Sequence, residues 1–202
     1  FARFKFKGKG ILSGIVVMMI LVPPQIISIP QYMLFRHFGI GSLTVNLINT
    51  KLCMYLPAAM GNGIRAGLMI FIFRQFFKGL PKELEDAAYL DGCGPLRTFV
   101  QVMIPNASSS FLTVFLFSVV WYWNDYYVSS TFFTKNQTIA LMLKNLSTLL
   151  SQQLFNNADV SPREQIVWME AGCLIAILPI LVMYTFLQKY FTEGIERSGL
   201  VG

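Results

Sequence analysis

The residues able to do chemistry are few and mostly isolated. The 202-residue chain has one histidine, His37, and three widely separated cysteines, Cys53, Cys93 and Cys173. That spacing makes neither a metal set nor a redox pair, and the cysteines read as small apolar filler. His37 has no second histidine or carboxylate beside it, so it reads as a surface side chain rather than a ligand or a general base. The chain contains no G-x-x-x-x-G-K-[ST] phosphate loop and no G-x-S-x-G nucleophile elbow. It is therefore expected not to be an enzyme, to hold no metal and to carry no cofactor of its own.

One stretch is different. Residues 78–105, KGLPKELEDAAYLDGCGPLRTFVQVMIP, hold seven of the 26 Asp, Glu, Lys and Arg residues in an otherwise apolar chain. Pro81, with its fixed φ and missing N–H, suits the first position of a helix. Lys82 to Leu90 contain strong helix formers and no Gly or Pro. Glu83, Glu85 and Asp86 crowd the first turns, where the helix dipole favours negative charge. Gly92 can take the left-handed conformation that ends a helix. A helix of about nine residues is too short to persist alone in water, so it needs something to pack against. Ala87 and Ala88 give it a small, flat surface for a partner's groove. A second helix start comes at Gly94-Pro95, and Pro105 marks a further change of direction.

The segments that position this loop are apolar. Hydrophobic residues make up 54% of the chain and charged residues 13%, against roughly 25% charged in ordinary soluble domains. The net charge of +6 forms no basic patch interleaved with aromatics, so nucleic acid is not expected as a partner. Four segments are about long enough to cross the roughly 20-residue apolar core of a bilayer: 11–30, 52–73, 108–128 and 165–189. They imply an all-α integral membrane protein, a bundle of about four transmembrane helices in this chain and a single transmembrane domain over 1–202. Pro23-Pro24 interrupts the first segment, Pro57, Gly61 and Gly63 the second, and Pro179 the last, where a kink is expected. Gly63 and Gly67 form a small-xxx-small pair that permits close helix approach. Ile139 to Leu150 reads as a short interfacial helix within a polar region.

Charge asymmetry sets the orientation. With residues 1–9, 74–105, Lys189 and the tail 190–202 on the inner side, ten Lys and Arg lie there and five on the outer loops 31–51 and 129–164, with Arg65 between. The positive-inside rule therefore puts the polar loop in the cytoplasm. Arg65 and Asp125 are the charges within or at the end of spans that invite a functional reading. Asp125 sits with Asn124 in the aromatic run 121–127, which reads chiefly as an interfacial belt and as a candidate lining for a translocation path.

Glu85-Asp86-Ala87-Ala88, then Asp91-Gly92, then Pro105, resembles the EAA…G…P signature of permease subunits of binding-protein-dependent ABC importers. Arg74-Gln75-Phe76-Phe77, Trp123-Asn124-Asp125, the run 188–194, Val22-Pro23-Pro24 and Ile29-Pro30 resemble the carbohydrate type, the maltose, glycerol-3-phosphate and multiple-sugar permeases. Asp86 stands where many relatives carry Glu. The resemblance covers nearly the whole chain and implies about six spans in the full-length family, so that the first two are missing here. It implies sugar or oligosaccharide import by alternating access in a bacterial or archaeal cell (inner) membrane. Glu85, Asp86, Ala87, Ala88, Asp91 and Gly92 would couple to an ATPase subunit, and the tail at Gly199 to Gly202 would touch it too. The implied partners are a companion permease, two ATPase subunits that hold the ATP and magnesium, an extracytoplasmic solute-binding protein and the lipid bilayer. Two other readings stay open on the residues: an ion-coupled secondary transporter using Arg65, Asp125 and Glu170 as a relay, and a purely structural subunit of a membrane complex.

Overall fold

The computed structural model describes residues 1–41, 43–134, 138–153 and 161–199. They form an almost entirely helical chain, with α1 over Lys9–Leu21, α2 over Pro24–Arg36 and a two-stranded antiparallel hairpin, β1 (Phe38–Ile40) and β2 (Leu43–Val45). Then come α3 (Leu52–Ala59), α4 (Ala66–Gly79), α5 (Glu83–Leu90), α6 (Pro95–Thr98), a π turn (Phe99–Met103), α7 (Ile104–Asn106) and α8 (Ser108–Trp123). The chain closes with α9 (Tyr127–Phe132), α10 (Ile139–Lys144), α11 (Leu146–Gln153) and α12 (Pro162–Gly199).

The chain divides into two compact units, one of residues 1–22, 61–119 and 187–202, the other of 23–60 and 120–186. In the first, α1 lies on α4 at Gly67. A Cβ at that position would stand 2.8 Å from the Met19 Cβ and 3.1 Å from both the Met19 carbonyl carbon and the Val16 carbonyl oxygen. The absence of a side chain is thus what allows the two helices to meet. Gly63, the other half of the expected pair, lies in the irregular stretch between α3 and α4 and belongs to neither helix. An aromatic row joins α8, α4 and the π turn: Phe111 and Phe73 meet edge-on at 4.8 Å between ring centres, and Phe77 continues the row with Phe99 at 5.8 Å. The chain turns by 67° between Asn106 and Ser108, two residues beyond Pro105, about the fully buried Ala107.

The second unit has its own core of Phe35, Leu47, Cys53 and Phe132. Phe132 meets Phe35 edge-on at 5.4 Å and Tyr32 face to face at 6.4 Å. The Asn49 N–H donates to the Phe132 carbonyl at 3.0 Å, and its Oδ1 accepts from the Thr134 N–H at 2.6 Å. Ser161 and Glu164 form a reciprocal capping box at the start of α12: Ser161 Oγ and N–H donate to Glu164 Oε2 at 2.7 and 3.1 Å, and the Glu164 N–H donates to Ser161 Oγ at 3.3 Å.

Among the described residues one helix is long and apolar enough to cross a membrane, Pro162–Lys189 of α12. Two bent pairs pass the same test together, α1 with α2 and the stretch Pro95–Asn106 with α8. The helix α12 carries exposed Ile166, Leu174, Ile175, Leu178 and Leu181 around its circumference, the surface of a helix whose solvent is lipid. It runs on without a break through Gly199, so residues 190–199 continue the last helix rather than leave it as a tail. At 38 residues it is about 57 Å long, nearly twice the roughly 30 Å hydrocarbon thickness. The segment 139–150, expected as one short helix, is two, α10 and α11, divided at Asn145.

Candidate functional site

The polar loop folds as its residues dictate. The Lys82 carbonyl accepts from the Glu85 and Asp86 N–H groups at 2.9 and 3.0 Å, which makes Lys82 the N-cap of α5 and leaves Pro81 one place before the cap rather than in the first turn. The acidic first turn, Glu83, Glu85 and Asp86, sits against the positive helix end. At the other end Gly92 has φ +79°. Its N–H donates to the Tyr89 carbonyl at 3.0 Å, and the Cys93 N–H donates to the Ala88 carbonyl at 2.9 Å. Those two bonds are the paired closures of a Schellman motif, which needs a left-handed residue at the position Gly92 occupies. Gly94 is extended and caps α6, with Pro95 in its first turn.

The helix has two faces. Ala88, 5% exposed, is buried, and α5 packs on α6 and the π turn. Ala88 therefore serves the chain's own packing instead of a surface offered outward. Ala87 is exposed, with Glu83, Asp86 and Leu90 on the same side by helical spacing. Leu90 is 88% exposed, a large apolar side chain at the end of an otherwise acidic face. Asp91, the C-cap, and Gly92 are exposed beside it.

Glu85 points inward. Its Oε1 lies 3.1 Å from Arg3 Nε. The Nε proton goes to the Phe77 carbonyl at 2.7 Å, and Oε1 accepts no hydrogen bond of its own, so the Arg3–Glu85 attraction is one of charge. The side chains are 15% and 19% exposed. Such a pair lies between the surface limit of about 0–1 kcal/mol and the roughly 3–5 kcal/mol lost when one partner is stripped from a buried pair. Beside it is a cavity of about 280 Å³, lined by Phe1, Phe4, Phe73, Phe77, Phe99 and Thr98. The Thr98 hydroxyl is buried there with no hydrogen-bond partner. In the sequence Arg3 is only one of the inner basic residues, and nothing in its spacing from residue 85 could have paired the two.

The remaining predicted residues have local roles. Asp125, one place before the N-cap Tyr126, satisfies the first amides of α9: Oδ1 accepts from the Val128 N–H at 3.2 Å, and Oδ2 from the Ser129 N–H at 2.7 Å and the Ser129 hydroxyl at 2.9 Å. Asn124 is exposed, its amide bonded to the Val120 carbonyl at 2.9 Å as the last turn of α8 ends. Trp123 Nε1 donates to the Ala176 carbonyl of α12 at 3.0 Å. Arg65 is exposed, has φ +57° and is the N-cap of α4, in the irregular stretch between α3 and α4. Glu170 is an exposed carboxylate on α12, and His37 ends α2 at the surface. Gly199 is the last residue of α12. Gly202 and Lys135 lie outside the described residues. Among those described, no three His, Cys, Asp or Glu side chains group to hold a metal ion.

The profile of a family described as binding-protein-dependent transport system inner membrane component matches residues 1–197. The arabinooligosaccharides transport system permease protein AraQ of Halalkalibacterium halodurans is 30% identical over 201 residues, covering 100% of this chain and 64% of that protein. The melibiose/raffinose/stachyose import permease protein MelC of Bacillus subtilis is 25% identical, covering 100% of this chain and 66% of that one. The crystal structure of a bacterial ABC transporter involved in import of the acidic polysaccharide alginate superposes with a TM-score of 0.66 at 20% identity, over 94% of this chain and 64% of that chain. The chain thus spans about 64% of the length of the curated relatives it matches.

Proposed function

The chain belongs to the family of binding-protein-dependent transport system inner membrane components, and from that premise we propose that it is the permease subunit of an ATP-driven importer of a sugar or oligosaccharide. The observation that carries the reading is α5, a short helix fixed at both ends whose exposed face, Glu83, Asp86, Ala87 and Leu90, remains uncovered by the described residues. An eight-residue helix with no intrinsic stability of its own is held in shape by Gly92 and by Ala88, and it presents one apolar side chain among acids. That is a surface suited to a groove in a second protein. The groove would belong to an ATPase subunit. ATP-driven closure of two such subunits would move α5, and the spans at 11–30, 52–73, 108–128 and 165–189 would rock between inward and outward openings.

The subunit itself carries no catalytic residue in this reading. ATP and magnesium belong to the ATPase pair, a companion permease completes the pore, and an extracytoplasmic solute-binding protein delivers the ligand. The location is the bacterial inner membrane, with residues 74–105 in the cytoplasm, an orientation supported by the placement of Lys and Arg. The carbohydrate class is supported by the relatives, named for arabinooligosaccharides and for melibiose, raffinose and stachyose. An ion-coupled relay gains no support from Asp125, whose carboxylate is engaged by the amides of α9.

The test is co-purification of the tagged full-length subunit in mild detergent. A second permease and an ATPase are expected with the native sequence, and Leu90→Asp is expected to insert normally but lose the ATPase. A lone homo-oligomer, whose uptake tracks an ion gradient and ignores ATP, would overturn the reading.

A further inference from the structure

The segment before α1 is folded back onto the start of the polar loop. Lys9 Nζ donates to the Ala2 and Phe4 carbonyls at 3.0 and 3.1 Å, and Arg74 of α4 stacks over the Phe1 ring at 5.3 Å. Arg3 occupies the centre of this arrangement. Its Nε donates to the Phe77 carbonyl at 2.7 Å, and its Nη2 to the Leu80 carbonyl. Phe77 lies in the last turn of α4 and Leu80 is its C-cap, where carbonyls lack helical partners and the dipole is negative. The same guanidinium faces Glu85 in the first turn of α5 at 3.1 Å. One side chain therefore bridges the end of one helix and the start of the next, across the connection Leu80-Pro81-Lys82. Ala88 fastens α5 to α6 and the π turn; Arg3 fastens α5 to α4.

We propose that Arg3 is a positioning residue of the transport cycle, transmitting displacement of α5 to α4 by holding Glu85 and the α4 carbonyls together. The inference rests on the reading that α5 meets a nucleotide-hydrolysing subunit. Without Arg3 the covalent connection would still join the two helices, but α5 could tilt without carrying α4 with it. Arginine suits the position because its planar fork reaches several acceptors at once, whereas a lysine ammonium is a point donor. Glu85 then acts inside the subunit, on Arg3, instead of on the surface of the partner.

The test uses the complete transporter with full-length subunits in proteoliposomes, and compares Arg3→Gln, Glu85→Gln and the double variant with the native protein. Two quantities are read, the ATPase rate and the number of ligand molecules imported per ATP hydrolysed. Each single variant is expected to retain the ATPase subunits and hydrolyse ATP, while import per ATP falls about 5- to 10-fold, the low end of typical coupling between sites. The double variant should be no worse than the poorer single one, because the two residues act through one contact. Arg3→Lys keeps the charge but not the fork, and should give an intermediate ratio. If Arg3→Gln does not assemble, Arg3→Lys and Glu85→Gln carry the same test. A native ratio in the assembled variants, or single losses that multiply in the double, would overturn the inference. A native subunit that retains no ATPase would instead refute the underlying reading, and the inference with it.

Discussion

Replacing Gly92 isolates a backbone cost from a steric one. Gly92 has φ +79°, and a Cβ built there meets nothing within 4 Å. The Gly92→Ala substitution therefore introduces no clash, and its whole effect is the strain of an L residue in the left-handed region, about 1–2 kcal/mol. That strain falls on the two closing bonds, Gly92 N–H to Tyr89 and Cys93 N–H to Ala88. An energy of that size is a factor of roughly 5–30 in the ratio of closed to open cap. Hydrogen exchange of the Gly92 and Cys93 amides in the purified full-length subunit reads this directly. Protection is expected to fall by that factor in Gly92→Ala, by the same factor in Gly92→Leu, and by less in Gly92→Asn, since asparagine tolerates the left-handed region. If α5 seats in a partner's groove as proposed, Gly92→Leu should become worse than Gly92→Ala once the subunits are assembled, since the partner would then supply a neighbour at that position. Unchanged exchange in Gly92→Ala would refute the account of the cap. A Leu variant far worse than Ala in the lone subunit would show that the position is crowded by the chain itself.

Two further outcomes concern the packing and the caps. Gly67→Ala brings a Cβ to 2.8 Å from the Met19 Cβ and 3.1 Å from backbone atoms of Met19 and Val16; it should cost about 1–3 kcal/mol, each kcal/mol lowering Tm by about 2–4 °C, while Gly10→Ala, with open space around it, should not destabilise. Ser161→Ala removes the N-cap of α12, whose Oγ donates to Glu164 Oε2 at 2.7 Å and accepts from the Glu164 N–H at 3.3 Å; it should cost about 1 kcal/mol, read as a lower Tm, and an unchanged Tm would contradict the box.

The polar loop was legible because its signals are local. Proline before the helix, acids in the first turn and glycine after the last turn each act within four residues, and the structure places the helix where they point. The signals that failed are those that depend on a distant partner. Arg3 and Glu85 are 82 positions apart and meet only because segment 1–8 folds back over α4. Ala88 looked like half of a flat outer surface, yet which side of a short helix is covered depends on α6 and the π turn. Asp125 drew a functional reading because charge is costly near a span; its local role, accepting from the Val128 and Ser129 amides from the place before the N-cap Tyr126, was obscured by the aromatic run around it. The hairpin at 38–45 was announced by Gly39 and Gly41, both with positive φ, but the surrounding polar residues read as loop.

The close approach at Gly67 and the bridge at Arg3 lie at opposite ends of α4, ten residues apart, or about 15 Å along the helix. Each fastens α4 to the same stretch of chain, α1 and the segment before it. A panel fixed by one pin can swing about it; a panel fixed by two cannot. The chain running from Arg3 through α1 thus meets α4 at two places, and both contacts oppose shear between the two. On the proposed reading of α5, a displacement delivered there would carry both helices together as one plate.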